Sequence, residues 1–333
     1  VSTPQALLNA PEGGVLTFGE TMVALRGSGP LKLGGSMNVS IAGAESNVAI
    51  GLARLGHEVR WAGAVGDDEA GQLVLRTLRA EGVDVSGASL DPEAPTGLLL
   101  FEPRLPELTR VHYYRAGSAG SRLTPEAVEC AFAARPPHVL HLTGITPALG
   151  PSAREACEQA LQLAEEHGTF ICLDINFRSR LWSTREAAEV MRAWAPRVDA
   201  LIASDDELPL AVPPGSEGQE NAMAETLLKL GVGEVVVKLG AAGARVHPGS
   251  EGGECGPLHR PARAVRAVDP VGAGDAFGAG YLSALLDGEP AEARLDRAIT
   301  TGAFAVTTPG DWEGAPTRAE LPLLTAQPGT VVR

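Results

Sequence analysis

The sequence predicts an α/β fold: a mostly parallel central sheet covered by helices, with a small β-lid. Two observations lead there. Short apolar runs of strand length alternate with longer segments of helical period. Two early segments, at about 24–42 and 96–115, interrupt the alternation with β-like pieces that do not resemble crossover helices. Dividing the 333 residues by about 150 per domain allows two domains, but one α/β unit of this size is also ordinary. With no internal repeat or low-complexity linker, one domain over residues 1–333 with an inserted lid is favoured.

The elements follow in order. Val15–Phe18, Val59–Ala64, Val139–Leu142, Thr169–Asp174, Ala200–Ala203 and Glu234–Leu239 are strand candidates. Asn47–Leu55 reads as a helix stopped by Gly56, and Glu69–Ala80 as one ending before Gly82. Thr124-Pro125 has the pattern of an N-cap with proline at the first helical position. Ser183-Thr184-Arg185-Glu186 is a capping box opening a helix to Trp194. Within the lid, Leu98–Glu102 and Thr109–Tyr114 flank a Pro-Arg-Leu-Pro-Glu turn, which predicts a hairpin.

Forty-one acidic against 27 basic residues give a net charge of −14, which argues against nucleic acid and anionic membrane as partners. No apolar run approaches the roughly 20 residues of a membrane helix, and Val1–Gln5 does not resemble a signal peptide. Cys130, Cys157, Cys172 and Cys255 are scattered, without metal-ligand spacing, and Cys157 and Cys172 fall in apolar segments as packing residues. Together these predict a soluble, cytoplasmic protein.

The strongest local signal is Val268-Asp269-Pro270-Val271-Gly272-Ala273-Gly274-Asp275-Ala276-Phe277-Gly278, between a strand-like stretch (Ala264–Val268) and a helix-like run (Ala276–Leu286). Gly272 and Gly274 allow close approach of an anion, and a helix starting there aims free N–H groups and its positive dipole end at it. Asp275 at that place repels a phosphate but can take a proton from an attacking hydroxyl; the plainer alternative is a helix-capping carboxylate. A Walker A loop is excluded because Lys32, Lys229 and Lys238 never follow glycine. A dinucleotide fingerprint is excluded because Gly278 comes six positions after Gly272 rather than five.

Over nearly its whole length the chain resembles the PfkB (ribokinase-like) carbohydrate kinases. Asp269–Phe277 is similar to the family's C-terminal signature, and Ala42-Gly43-Ala44-Glu45-Ser46-Asn47-Val48-Ala49 to its N-terminal one, with Ala42 in place of the usual first glycine. Tyr113–Ser121, His141–Leu149 and Leu173–Arg178 most resemble the 2-keto-3-deoxygluconate kinases within it. The resemblance implies a three-layer α/β/α sandwich and ATP-dependent phosphorylation of a sugar acid at C6. Another sugar kinase (fructokinase or ribokinase) and a catalytically silent sugar-acid-binding protein are the alternatives. It implies Asp275 as catalytic base and Gly272, Ala273 and Gly274 as anion hole. Gly43, Asn47, Tyr113, Tyr114, Arg115, Ile145, Arg178, Asp275 and Asp311 would line the sugar-acid pocket. Asn176, Arg178, Ser204, Lys238, Gly240, Gly243, Ala244 and Gly272–Gly274 would lie along ATP. Glu207 would organise Mg²⁺ through water, a monovalent cation such as K⁺ is a further cofactor candidate, and a homo-oligomer is expected. Leu99 and Ile299 depart from a lid tyrosine and an adenine-side asparagine found in some of these kinases.

The residue chemistry supports this independently. A 2-keto acid carries a carboxylate, and Arg115 and Arg178 each offer a planar fork to a carboxylate or phosphate. Strand alternation puts Tyr113 and Arg115 on one face and turns Tyr114 away. Plainer readings stand beside these: a solvated strand arginine for Arg115, a helix-capping ion pair for Arg178, a backbone cap for Asp311, a snorkelling side chain for Lys238 and a solvated helix start for Glu207.

Overall fold

The structure is a computed structural model that describes residues 10, 13–105, 108–249 and 256–325. Val1–Gln5, Cys255 and the hairpin's Pro106 and Glu107 lie outside the described residues. In chain order the strands are β1 (Val15–Phe18), β2 (Met22–Gly27), β3 (Met37–Ala42), β4 (Val59–Gly66), β5 (Asp84–Asp91), β6 (Leu98–Leu105) and β7 (Leu108–Tyr114), then β8 (Val139–Thr143), β9 (Phe170–Asp174), β10 (Ala200–Ser204), β11 (Glu234–Lys238), β12 (Ala244–Pro248) and β13 (Leu258–Arg260). The helices are α1 (Ala44–Arg54), α2 (Glu69–Ala80), α3 (Pro125–Ala134), α4 (Pro151–His167), α5 (Thr184–Trp194), α6 (Glu220–Lys229), α7 (Ala273–Leu286) and α8 (Ala291–Ala305).

Nine strands form one sheet in the order β13-β12-β11-β10-β9-β8-β1-β4-β5. It is parallel except for β12 and β13 at one edge. Alternate side chains of each strand face opposite ways. Leu16, Phe18, Leu140, Leu142, Leu173 and Leu201 pack with α3, α4, α5 and α6 on one side. Val15, Val59, Trp61, Val139, Cys172 and Ile202 pack with α1, α2, α7 and α8 on the other. These two cores make the three layers expected. On the second side α1 and α7 approach closely, since a Cβ on Gly51 would lie 2.7 Å from the Ala279 Cβ.

The interrupting segments pair as a separate four-stranded sheet, β3-β2-β6-β7, which is the lid. Its hairpin is present: Leu99 lies opposite Tyr113 and Leu98 opposite Tyr114. The capping box at Ser183 is formed in both directions with Glu186. Thr124 occupies the N-cap position before Pro125 but makes no side-chain cap bond.

One predicted element is corrected. Ala264–Val268 is not a strand; β13 ends at Arg260 before Pro261, and the run leads away from the sheet. The N–H groups of Val268 and Asp269 turn to the Val306 carbonyl instead. The edge strand β5 escaped prediction because five of its eight residues are polar or glycine and only one of the eight is buried.

Candidate active site

The chain crosses the sheet in one direction from β1 to β5, then returns to β8 and proceeds the other way, so strand order reverses between β1 and β8. Ligands of open α/β sheets bind outside the carboxyl ends of the strands near such a point. A cleft of about 1310 Å³ opens there, roofed by the lid. The carboxyl ends of β1, β8, β9, β10 and β11 supply Glu20, Ile145, Asn176, Ser204 and Lys238 to its wall.

Asp275 sits in the first turn of α7, facing this cleft. Asn47 Nδ2 donates to its Oδ2 at 2.7 Å, and Asn176 Nδ2 approaches Oδ1 at 3.4 Å. Burial pushes its carboxyl up to about 7; the Asn47 bond acts against this, buried Asp174 adds to it, and Arg178 and Lys238 oppose it. Asn176 is held at φ 40°, the one non-glycine left-handed residue among those described. Such strain, about 1–3 kcal/mol, persists only where surrounding contacts impose it. Gly272 caps α7 at φ 75°, and a Cβ there would lie 1.8 Å from the Asp311 carbonyl oxygen, so both conformation and space require glycine.

Toward the sheet's β11 side, Lys238 Nζ donates to both oxygens of buried Asp174, at 2.8 and 3.0 Å. A Cβ on Gly274 would stand 3.7 Å from that ammonium, so Lys238 flanks the glycine turn. Glu207 accepts the Phe177 N–H at 2.7 Å and the Ser204 N–H at 2.9 Å. Both its oxygens therefore organise backbone at the cleft wall.

Toward the switch point, Arg115 and Tyr113 line the cleft together, with the guanidinium 5.9 Å from the ring centre. Arg115 is not free: its Nε donates at 2.7 Å to Glu20, a buried carboxylate that also accepts from Ser118 Oγ. A second buried acid, Glu45, accepts from Thr143 and from Thr146 at 2.7 Å, and burial pushes its carboxyl up. Arg178 is exposed on the cleft wall and donates to the Phe177 carbonyl at 3.0 Å. No carboxylate lies within ion-pair distance of it among the described residues. Asp311 lines the cleft too, with Arg26 Nη2 at 2.6 Å, and burial pushes its carboxyl up to about 6 against that cation.

The cleft thus gathers Gly43, Asn47, Tyr113, Arg115, Ile145, Asn176, Arg178, Ser204, Glu207, Lys238, Gly272, Gly274, Asp275 and Asp311. Five residues expected at the site do not line it. Tyr114 turns away and is 60% exposed, because it alternates with Tyr113 on β7. Ala244 is fully buried in β12, where it pairs with Lys238 and Arg260. Gly240 and Gly243 lie in the turn after β11, both at positive φ, and outside the cleft wall. Ala273 is also off the wall, and its N–H makes a long 3.4 Å bond to the Pro270 carbonyl. Of the two departures, Leu99 lies on the cleft wall and Ile299 in the core beside Phe277. Glu20, Glu45, Asp174 and Arg26 were missed; Glu20 and Asp174 carried a signal, as carboxylates at the carboxyl ends of buried strands.

The turn and helix terminus fit a phosphate chain. Among the described residues no group of three or more His, Cys, Asp or Glu could hold a metal ion. Cys157 and Cys172 are buried as expected, and burial raises both thiols. Among the described residues no helix is long and apolar enough to cross a membrane.

Comparison with known proteins gives the same picture. Residues 14–318 match the model of the pfkB family carbohydrate kinases. Over 310 residues the chain is 36% identical to the 2-dehydro-3-deoxygluconokinase of Bacillus subtilis, covering 92% of this chain and 93% of that one. The solved 2-dehydro-3-deoxygluconokinase of Thermotoga maritima superposes with a TM-score of 0.81 at 26% identity, covering 95% of this chain and 99% of that one. A double-mutant fructokinase of Vibrio cholerae, solved with fructose, ADP and a potassium ion, gives 0.79 at 26% identity, covering 95% and 99%.

Proposed function

Because the chain belongs to the pfkB family of carbohydrate kinases, we propose that it is a cytoplasmic kinase that phosphorylates 2-keto-3-deoxygluconate. The products are ADP and 2-keto-3-deoxy-6-phosphogluconate. It works as a single ribokinase-like domain with the lid segments inserted.

One observation carries the reading: Asp275, half-buried and held by Asn47 and Asn176, faces a cleft lined by Arg178, which has no carboxylate within ion-pair distance among the described residues, and by Arg115, whose fork is held by Glu20. The C6 hydroxyl attacks the γ-phosphorus as Asp275 takes its proton, and the β–γ bridging oxygen leaves with ADP. The N–H groups of the Gly272–Asp275 turn and the dipole of α7 oppose charge on the moving phosphoryl group. When bound with ATP, Mg²⁺ would be organised through water by Glu207 and would supply charge neutralisation at the phosphate oxygens. Lys238 borders the phosphate end, and Glu207 fixes the Phe177 and Ser204 backbone. Arg178 and Arg115 receive the substrate carboxylate, Asp311 and Asn47 bind hydroxyls, and lid closure excludes water. Exposed apolar side chains on the lid, Val39 and Leu105 among them, support a homo-oligomer joined through it, which light scattering tests.

One observation favours a second reading. The Glu20 carboxylate already balances Arg115, so this part of the cleft carries little net positive charge and suits a neutral hexose. ADP release over 2-keto-3-deoxygluconate, 2-keto-3-deoxygalactonate, fructose and ribose separates the two. The proposal expects the keto acids to be preferred by kcat/KM, and preference for fructose would overturn it.

A further inference from the structure

Behind the glycine turn lies a loop, residues 309–314, whose acids face the lid. Asp269, which opens the turn, accepts the Val271 N–H at 3.1 Å on Oδ1 and the Gly310 N–H at 3.3 Å on Oδ2, fastening turn to loop. The loop's Asp311 places its carbonyl against Gly272, where no Cβ fits. Glu313 Oε2 accepts the Asp311 N–H at 2.9 Å, and its Oε1 accepts Ser40 Oγ from β3. Three carboxylates thus stand together at the back of a turn read as a phosphate site, an arrangement that repels both its own members and an incoming anion.

A single guanidinium answers them. Arg26, from lid strand β2, donates through Nη1 to Asp269 at 3.0 Å and through Nη2 to Asp311 at 2.6 Å. It is held from behind by the Phe101 ring of β6, 4.0 Å from the ring centre. The three side chains are 9–18% exposed, so water screens the pairs little. Two forked bonds fix the guanidinium in plane, which an ammonium cannot reproduce. An added monovalent cation at this place does not fit the residues present, because Arg26 already occupies both carboxylates.

We propose that Arg26 is a positioning residue for phosphoryl transfer: a cation built into the lid that holds Asp269 and Asp311, and through them the Gly272 turn. The inference rests on reading that turn as the anion hole. Seating of the lid is then coupled to formation of the turn, and the enzyme needs no added monovalent cation.

The test compares wild type, Arg26→Ala and Arg26→Gln in tetramethylammonium buffer, with and without KCl or millimolar guanidinium chloride. The glutamine variant keeps a side chain over Phe101 should the alanine variant fail to fold. Expected are equal wild-type rates in both buffers and a fall in kcat on the order of 10²-fold in the variants, the usual scale for a misplaced transfer site. Guanidinium, and more weakly K⁺, should restore part of that loss. Wild-type turnover in a folded variant, a loss that guanidinium leaves untouched, or severalfold K⁺ stimulation of wild type would each overturn the proposal. MgADP affinity, which needs no sugar, should weaken in the variants and recover with guanidinium. A chain that phosphorylates no sugar tested would end the substrate reading, while this binding series would still decide the role of Arg26.

Discussion

Asn47, in the first turns of α1, donates a 2.7 Å hydrogen bond to the carboxylate of Asp275, in the first turn of α7, across 228 positions of sequence. The bond favours the ionised carboxylate in a place where burial favours the neutral acid. If Asp275 is the base of the proposed reaction, Asn47 keeps this half-buried acid available near neutral pH.

Replacing Asn47 with alanine removes that donor. The apparent pKa governing kcat/KM should rise by roughly one unit, given the usual worth of a hydrogen bond to a charged group. Activity lost at pH 7 should return in part at pH 8.5. A pH–rate profile that keeps the wild-type midpoint counts against this role.

In the wild type, kcat/KM should climb tenfold per pH unit below about pH 7 and level off above it, since burial pushes Asp275 up to about 7 and only its ionised form accepts a proton. Asp311, pushed up to about 6 by burial in the same cleft, titrates lower, so a midpoint near 7 belongs to Asp275. Initial rates between pH 5 and 9 at saturating ATP supply the check.

Asp275→Asn should lower kcat by about 10²–10⁴-fold, the usual contribution of a positioned base, with MgATP binding kept. The same variant should be more stable than wild type. The folded pKa of Asp275 lies above its unfolded value, so the unfolded chain loses this proton first. Wild-type stability therefore declines as pH rises from about 4 to about 7 and stays lowered above. The melting temperature of the variant should exceed wild type clearly at pH 8 and less at pH 5; equal values at both would contradict the burial argument.

Arg115→Ala should raise KM for a keto acid more than for a neutral sugar, and it leaves Glu20 buried without its cation. Glu20→Gln, which retains the side-chain volume, should improve discrimination in favour of the acid. Equal losses on both substrates for Arg115→Ala would assign the Arg115–Glu20 pair to lid structure alone.

Gly272→Ala should destroy the turn. A left-handed alanine costs about 1–2 kcal/mol before any clash, and the new Cβ meets the Asp311 carbonyl at 1.8 Å. Loss of MgADP binding, with the melting temperature lowered, is the expected result by calorimetry and thermal unfolding.

Much of the frame was legible because its signals are local. Val15–Phe18 and Glu69–Ala80 carry their own period and end signals, and both elements have those bounds in the structure. The glycine turn before Asp275 showed because glycine spacing records backbone conformation directly. The site's charge balance was not legible. Arg26 looks like any polar residue on a lid strand, and its partners Asp269 and Asp311 stand 243 and 285 positions away. Arg115 declared a fork but not its occupant, since Glu20 lies 95 residues earlier and only the lid's return to the β1 end brings them together. Tyr114 was named by resemblance, whereas strand alternation alone gave its true direction.

The close packing of α1 on α7, glycine against alanine at Gly51 and Ala279, has a consequence for the birth of the protein. Asn47 leaves the ribosome well before Asp275, and at about 5–20 residues per second the interval is roughly 10–45 s. Through that time one face of α1 has no partner, and its apolar stripe is open to chaperones or to neighbouring nascent chains. The Asn47–Asp275 bond therefore forms late, once α7 has emerged and packs on the first helix.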